Sequence, residues 1–181
     1  MLVANPVTFD GRVIRHAQTL AAAGHDVAVI GVIGPQDRDE PPPAGLGFAV
    51  RRLERRRGGL ASGLFWVSSA LRRRAALQLC SVLPESALRQ VPGLAGLAVA
   101  ASGPELFLAA VQKGCDVVHS NDLSTLPAAA WAARVLGRPR LPYVYDAHEL
   151  YIDEDPDLSR HERRAREVAE RHYIRGAAAV L

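Results

Sequence analysis

The stretch Asp10-Gly11-Arg12-Val13-Ile14-Arg15-His16-Ala17-Gln18-Thr19-Leu20-Ala21-Ala22-Ala23-Gly24-His25-Asp26-Val27-Ala28-Val29-Ile30-Gly31-Val32 decides how this chain folds. Val13, Ala17, Leu20 and Ala21 recur at helical spacing, while Arg12, Arg15 and Gln18 fall on other faces. Asp10 is placed to cap the helix start, and Gly24 to stop it as a C-terminal glycine. The spacing therefore predicts a helix from about Arg12 to Ala23. Asp26–Val32 follows as a buried strand. The short apolar run Leu2–Ala4 and the loop from Asn5 to Gly11 precede the helix, which makes a strand–helix–strand unit of the length a parallel crossover needs.

Outward from that unit, Gly34–Gly47 is rich in Pro, Gly and acid and reads as a loop, and Gly47–Leu53 as a third strand. Gly58–Gly114 is alanine- and leucine-rich and broken by Pro84, Pro92 and Pro104, so it predicts several helices rather than one. Asp116–Ser120 is a strand with Asn121–Pro127 as its exit loop. Ala128–Leu136 is a helix closed by Gly137 and Pro139. Leu141–Tyr145 is the next strand, with Asp146–Asp157 as its exit. Ser159-Arg160-His161-Glu162 is a capping box that opens a helix running to about Arg175, ended by Gly176. Ala177–Leu181 begins one more strand, and a strand cut at its start is what a truncated domain would show. The alternation predicts one α/β domain with a doubly wound, mostly parallel, Rossmann-like sheet.

Composition bounds the function. The 181 residues are 49% hydrophobic and 23% charged, enough for one full core and unlike a disordered or collagen-like chain. Cys80 and Cys115 are too few for a disulfide scaffold or a four-thiolate zinc site, and they point weakly to a reducing cytosol. No signal peptide is visible, and the longest uncharged stretches, Gly58–Leu71 and Gln90–Pro104, fall short of a membrane span. The net charge of +3 is mild, but Arg51, Arg52, Arg55, Arg56, Arg57, Arg72, Arg73 and Arg74 face only one acid, Glu54. That stripe, Arg51–Arg74, suits an anionic surface, or is simply a solvated face. Nucleic acid is not expected, since Phe65 and Trp66 are the only stacking aromatics within it.

In an open parallel sheet, ligands bind beyond the carboxyl ends of the strands. Three strand exits carry polar residues: Asp10, Gly11 and Arg12; His119, Asn121 and Asp122; Asp146, His148 and Glu149. Parallel topology brings them to one rim. Gly11 just before a helix lets an anion approach backbone N–H groups, although a plain loop glycine reads the same way. His119 and His148 suit a base or a partner for a hydroxyl, or are satisfied core histidines; Asp122, Asp146 and Glu149 suit the same site or are loop caps. A lone glycine at this turn is not the dinucleotide fingerprint, and no Gly-x-Ser-x-Gly elbow is present. His148-Glu149-Leu150-Tyr151-Ile152 has Ile152 where a zinc motif needs its second histidine. Asp153-Glu154-Asp155 stands ahead of a helix, where acids are favoured anyway. No metal site is expected from either motif.

Asp10-Gly11-Arg12-Val13 with Ala17, Leu20 and Gly24-His25-Asp26-Val27 resembles the first unit of GT-B-type glycosyltransferases, specifically family 4-like N-terminal domains. Val118-His119-Ser120-Asn121-Asp122-Leu123 resembles that family's fourth strand exit. Tyr145-Asp146-Ala147-His148-Glu149-Leu150-Tyr151 resembles the Asp-Ala-His-Glu segment of one subgroup, and Gly176–Leu181 the start of its next strand. The resemblance implies the N-terminal, acceptor-side half of a GT-B architecture. Its partners would be a nucleotide-sugar donor, serving as co-substrate without further cofactor, and a glycan or lipid-linked acceptor. Transfer would be retaining and metal-independent. Gly11 and Arg12 would lie by the donor phosphates, His119, Asn121 and His148 in the catalytic region, and Asp10, Asp122, Asp146 and Glu149 toward the acceptor. Many relatives have His-x-His at the fourth exit; here the second position is Asn121, which cannot take a proton at neutral pH. The donor-binding C-terminal domain would be absent from these residues, so the chain alone is expected to be inactive. The expected location is cytoplasmic, at the inner membrane face, where Leu60, Leu64, Phe65, Val67, Ser68 and Leu71 beside Arg72–Arg74 form an interfacial helix, or else that apolar stripe packs on the sheet and the arginines are solvated. The other open reading is a non-enzymatic α/β module that binds membrane or nucleic acid through the stripe.

Overall fold

The computed structural model describes residues 1–8, 10–33, 45–54, 60–100, 106, 108–111, 114–136, 141–147 and 157–181, with only the backbone described for 54, 60–70 and 136. The expected loop over 34–44, Arg55–Arg57, the helix stop at Gly137 and Pro139, His148, Glu149 and the acids Asp153, Glu154 and Asp155 lie outside the described residues.

Helix α1 spans Gly11–Ala22, followed by β1 (Ala28–Ile33) and β2 (Ala49–Glu54). Then come α2 (Leu60–Val82), α3 (Glu85–Gln90) and α4 (Pro92–Val99), divided at Pro84 and Pro92 as expected, while Pro104 lies outside the described residues. Strand β3 is Val118–Ser120, α5 Leu126–Leu136, β4 Tyr143–Tyr145 and α6 Arg160–Tyr173. A 3-10 turn over Ile174–Gly176 leads to β5, Ala179–Val180. The strands are shorter than the sequence suggests. Their hydrogen-bonding continues into the flanks, as when Asp146 N–H donates to Ser120 O at 2.9 Å and Ala147 N–H to Leu181 O at 3.1 Å.

All pairings among the described residues are parallel: β1 with β2, β3 with β4, and β4 with β5. Leu2 bridges Ile30 on one side and Ser120 on the other, which joins the two groups into one sheet. The lateral order is β2, β1, the Leu2 segment, β3, β4, β5. The order of the chain therefore reverses between the Leu2 segment and β3, the switch point at which doubly wound sheets bind ligands.

The pleat assigns each face. Leu2, Ile30, Val32, Val118, Tyr143 and Tyr145 enter one core cluster with α5 and α6, while Val3, Val27 and Val29 enter the other with Val13 and Ala17 of α1. Helix α5 turns Ala128, Ala129, Ala130, Ala132 and Ala133 inward, all buried, so its backbone lies close to the sheet. On α6, the Ser159–Glu162 capping box forms as expected. Its far end is tied down by tyrosines: Tyr143 Oη donates to Tyr173 O, Trp131 Nε1 to Tyr173 Oη at 3.2 Å, and Tyr145 Oη to Glu170 at 2.8 Å. Gly24 takes φ +91°, the left-handed stop that the helix-end reading requires. Both cysteines are free.

The arginine stripe does not form one surface element. Arg51 and Arg52 belong to β2, and Arg72, Arg73 and Arg74 to α2. Arg52 donates to Thr8 Oγ1 at 2.8 Å, and Arg73 to Ala98 O at 3.1 Å, with Glu162 3.9 Å away. Arg72 and Arg74 are exposed, as is Leu71. No helix among the described residues is long and apolar enough to cross a membrane.

The loop ahead of α1 is held by close approach to β1. Val7 sits at φ 69°, a costly conformation for a β-branched residue, yet it is fully buried. The space comes from Gly31, where a Cβ would stand 2.6 Å from both Asn5 O and Val7 Cγ2. Gly31→Ala is accordingly expected to destabilise the chain by about 1–3 kcal/mol, the usual cost of overpacking. Urea denaturation checks this; an unchanged midpoint would mean that the loop does not press on β1.

Candidate functional site

Alternation along β3 and β4 builds the site. Val118 and Tyr145 face the α5–α6 layer, so His119 and Asp146 emerge on the side of α1. Helix α1 starts there because Asp10 caps it, accepting from Val13 N–H at 3.1 Å. Asn5 Nδ2 donates to the other Asp10 oxygen at 2.8 Å, and Asn5 Oδ1 accepts from Val7 N–H at 2.8 Å. This leaves the amides of Gly11 and Arg12 at the open end of the helix.

Arg12 and His16, one turn apart on α1, both reach Asp146. Arg12 Nε is 3.6 Å and His16 Nδ1 3.5 Å from Asp146 Oδ2, with Arg12 Nη2 4.0 Å from Asp10 Oδ2. The imidazoles of His16 and His119 stack at 6.2 Å between centroids and 23° between planes. Asp146 is buried and His16 half-exposed. Residues near positions 11, 119 and 146 thus share one rim, as parallel topology predicts.

Burial pulls the His119 imidazole down to about 4, helped by the nearby N-terminal ammonium, His16 and Arg12. His119 is therefore neutral at physiological pH, which suits a hydrogen-bonding group better than a general base. Asn121 is fully buried, its Nδ2 donating to Leu2 O at 3.2 Å. Its Oδ1 has no hydrogen-bond partner among the described residues. Asp122 is nearly buried, and its carbonyl accepts from Ser120 Oγ, Thr125 and Leu126 at the start of α5. Among the described residues a Cβ on Gly11 would meet only Arg15 Nη1, at an ordinary 3.5 Å, so none of them demands glycine there.

Sequence reasoning missed His16. Its signal was its place four residues after Arg12, on the same helix face. It also missed Asn5, the second partner of Asp10, and Thr125, whose hydroxyl lies 2.8 Å from Ser120 Oγ. Among the described residues, His16, His119 and Asp146 are also the group of ligand-type side chains close enough to share a metal ion.

The His119 shift has a stability consequence. The imidazole protonates near 6.5 in the unfolded chain but only near 4 when folded. Between those values the unfolded state binds the extra proton, so stability falls as pH drops from about 6.5 to about 4, by about 3 kcal/mol. His119→Gln is expected to remove that part of the pH dependence, read from urea midpoints in chelator-containing buffer. Parallel wild-type and variant curves would show that His119 is not desolvated.

A family model described as "Glycosyl transferase 4-like domain" matches residues 12–181. Neither a curated protein nor a solved structure matches the chain. The match takes in α1 from Arg12 onward, the described strands from β1 to β5, and both histidines and the aspartate of the rim. On that match the chain belongs to the glycosyl transferase 4-like domain family.

Proposed function

We propose that this domain forms the acceptor side of a GT-B glycosyltransferase, of the Asp-Ala-His-Glu subgroup, acting on a glycan or lipid-linked acceptor. The supporting observation is the meeting of Arg12, His119 and Asp146 at the point where strand order reverses, in a chain of this family. A second domain supplies the opposite wall and most of the nucleotide contacts in this reading. The bond from the sugar's anomeric carbon to the donor phosphate breaks, a bond to the acceptor oxygen forms, and a nucleotide leaves with its phosphate. The acceptor proton passes to the departing phosphate oxygen as the acceptor oxygen attacks. Transfer proceeds with retention and without a metal or other cofactor.

Roles follow from surroundings. The Gly11 and Arg12 amides at the start of α1 face the donor phosphates, where the helix end favours negative charge. Arg12 is already paired with Asp146, so phosphate must draw its guanidinium from that carboxylate. His119, neutral, holds a sugar hydroxyl rather than taking a proton, and Asn121 orients the same region from below. Asp10 keeps the rim in place as a cap, while Asp122 and Asp146 border the acceptor. His148 and Glu149 retain their proposed places beside it, on sequence alone. The exposed Arg72 and Arg74 suit the anionic cytoplasmic face of a membrane that carries a lipid-linked acceptor.

The deciding experiment is a screen of nucleotide-sugars and acceptors with the full-length protein. His119→Ala is expected to lower kcat/KM roughly fivefold, the worth of one neutral hydrogen bond, and Asn121→Ala to lower turnover. The 181-residue chain alone is expected to give no transfer. Unchanged kinetics in both variants, or transfer by the isolated chain, would overturn the assignment. Co-sedimentation with vesicles is expected only when they contain anionic lipid, and equal binding to neutral vesicles would remove the membrane role of the arginines.

A further inference from the structure

We propose that His16, His119 and Asp146 bind one divalent transition-metal ion of the zinc type. The three residues come from separate elements, α1, β3 and the exit of β4, and one ligand atom from each lies within 4.8 Å of the others. His16 Nδ1 and Asp146 Oδ2 stand 3.5 Å apart. Two ligands about 2.0–2.2 Å from a tetrahedral zinc ion are separated by roughly 3.4 Å. That pair already has the spacing of two such ligands, and a modest closure brings in the third.

A second observation points to a ligand. His16 Nδ1 and His119 Nε2 are both buried, and neither has a hydrogen-bond partner among the described residues. Buried polar atoms are nearly always hydrogen-bonded, so two such nitrogens on histidines that flank Asp146 call for a ligand. The His16 side chain is 41% exposed, which leaves a way in along α1. Three protein ligands leave a fourth position for water.

The donor set selects the ion. Two imidazoles favour zinc, cobalt, nickel and copper, whereas magnesium and calcium want oxygen. Arg12, 3.6 Å from the single carboxylate, opposes any dication, so the two imidazoles must supply most of the affinity, which magnesium and calcium draw from oxygen instead. No step of sugar transfer is assigned to the ion, and the site does not depend on the proposed function. Where that function holds, bound metal and substrate compete for His119.

The test is titration of the chelator-stripped chain with zinc chloride by calorimetry, and with cobalt chloride by visible absorption. One zinc per chain is expected, with a cobalt spectrum of tetrahedral type and no binding of magnesium at the same concentrations. His16→Ala, at a half-exposed position that should fold normally by circular dichroism, is expected to weaken zinc binding at least about tenfold. Asp146→Asn is expected to do the same while keeping the side chain's shape. Absence of saturable binding overturns the proposal. So does binding unchanged in His16→Ala, which would put the ion elsewhere, for example at the exposed Cys115.

Discussion

The sheet depends on the backbone of Leu2. Its N–H donates to His119 O at 2.7 Å, and its carbonyl accepts from Asn121 N–H at 3.1 Å. On the other edge Val3 N–H donates to Ile30 O at 3.0 Å, and Ile30 N–H to Met1 O at 2.9 Å. A segment too short to be assigned as a strand thus joins β1 and β2 to β3, β4 and β5. The same Leu2 carbonyl also receives Asn121 Nδ2 at 3.2 Å and Thr125 Oγ1 at 3.4 Å. Three donors crowd an oxygen that has two lone pairs, which holds the β3 exit against the centre of the sheet.

That junction also fixes what meets beside it. Because Leu2 and Val3 turn to opposite core clusters, the loop that follows must rise on the α1 face, where β3 and β4 present His119 and Asp146. Period-two alternation in three strands and one helix start are enough to bring Arg12, His16, His119 and Asp146 together. The acids there are not surplus: Asp10 is bound to Asn5 and the Val13 amide, and Asp146 faces both Arg12 and His16.

Much of this was legible in the sequence. The unit from Leu2 to Val32 was readable because its turn residues, helical spacing and β-branched run agree with one another. The capping box at Ser159 and the stop at Gly24 carried their own local chemistry. The middle of the chain was less legible because an alanine-leucine composition states helix without stating where helices dock; the packing of α4 against α6 rests on Gly96 opposite Tyr173, a pairing across 77 positions. The rim was legible as a set of strand exits but not as contacts. His16 was hidden because a histidine between Val13 and Ala17 on an amphipathic helix looks like its edge. Only the direction of His119 reveals otherwise. The arginine stripe is contiguous in sequence but divided between elements, since β2 and α2 carry its described parts and Arg73 donates to Ala98 O.

What the chain's own packing leaves over points to a ligand at the rim. Gly31 and Gly96 are explained inside the molecule, since a Cβ at either would strike a neighbour. Gly11 has no such explanation among the described residues, and it lies where the helix end is open. Nearby, His16 Nδ1, His119 Nε2 and Asn121 Oδ1 are buried without a hydrogen-bond partner among the described residues. Each such atom costs about 1–3 kcal/mol when left dry. A fold that satisfies Asp10, Ser120 and Thr125 within a few residues of these atoms has no difficulty making local hydrogen bonds. Unmet polar atoms gathered at the reversal of strand order are therefore better explained by something that binds there than by poor packing.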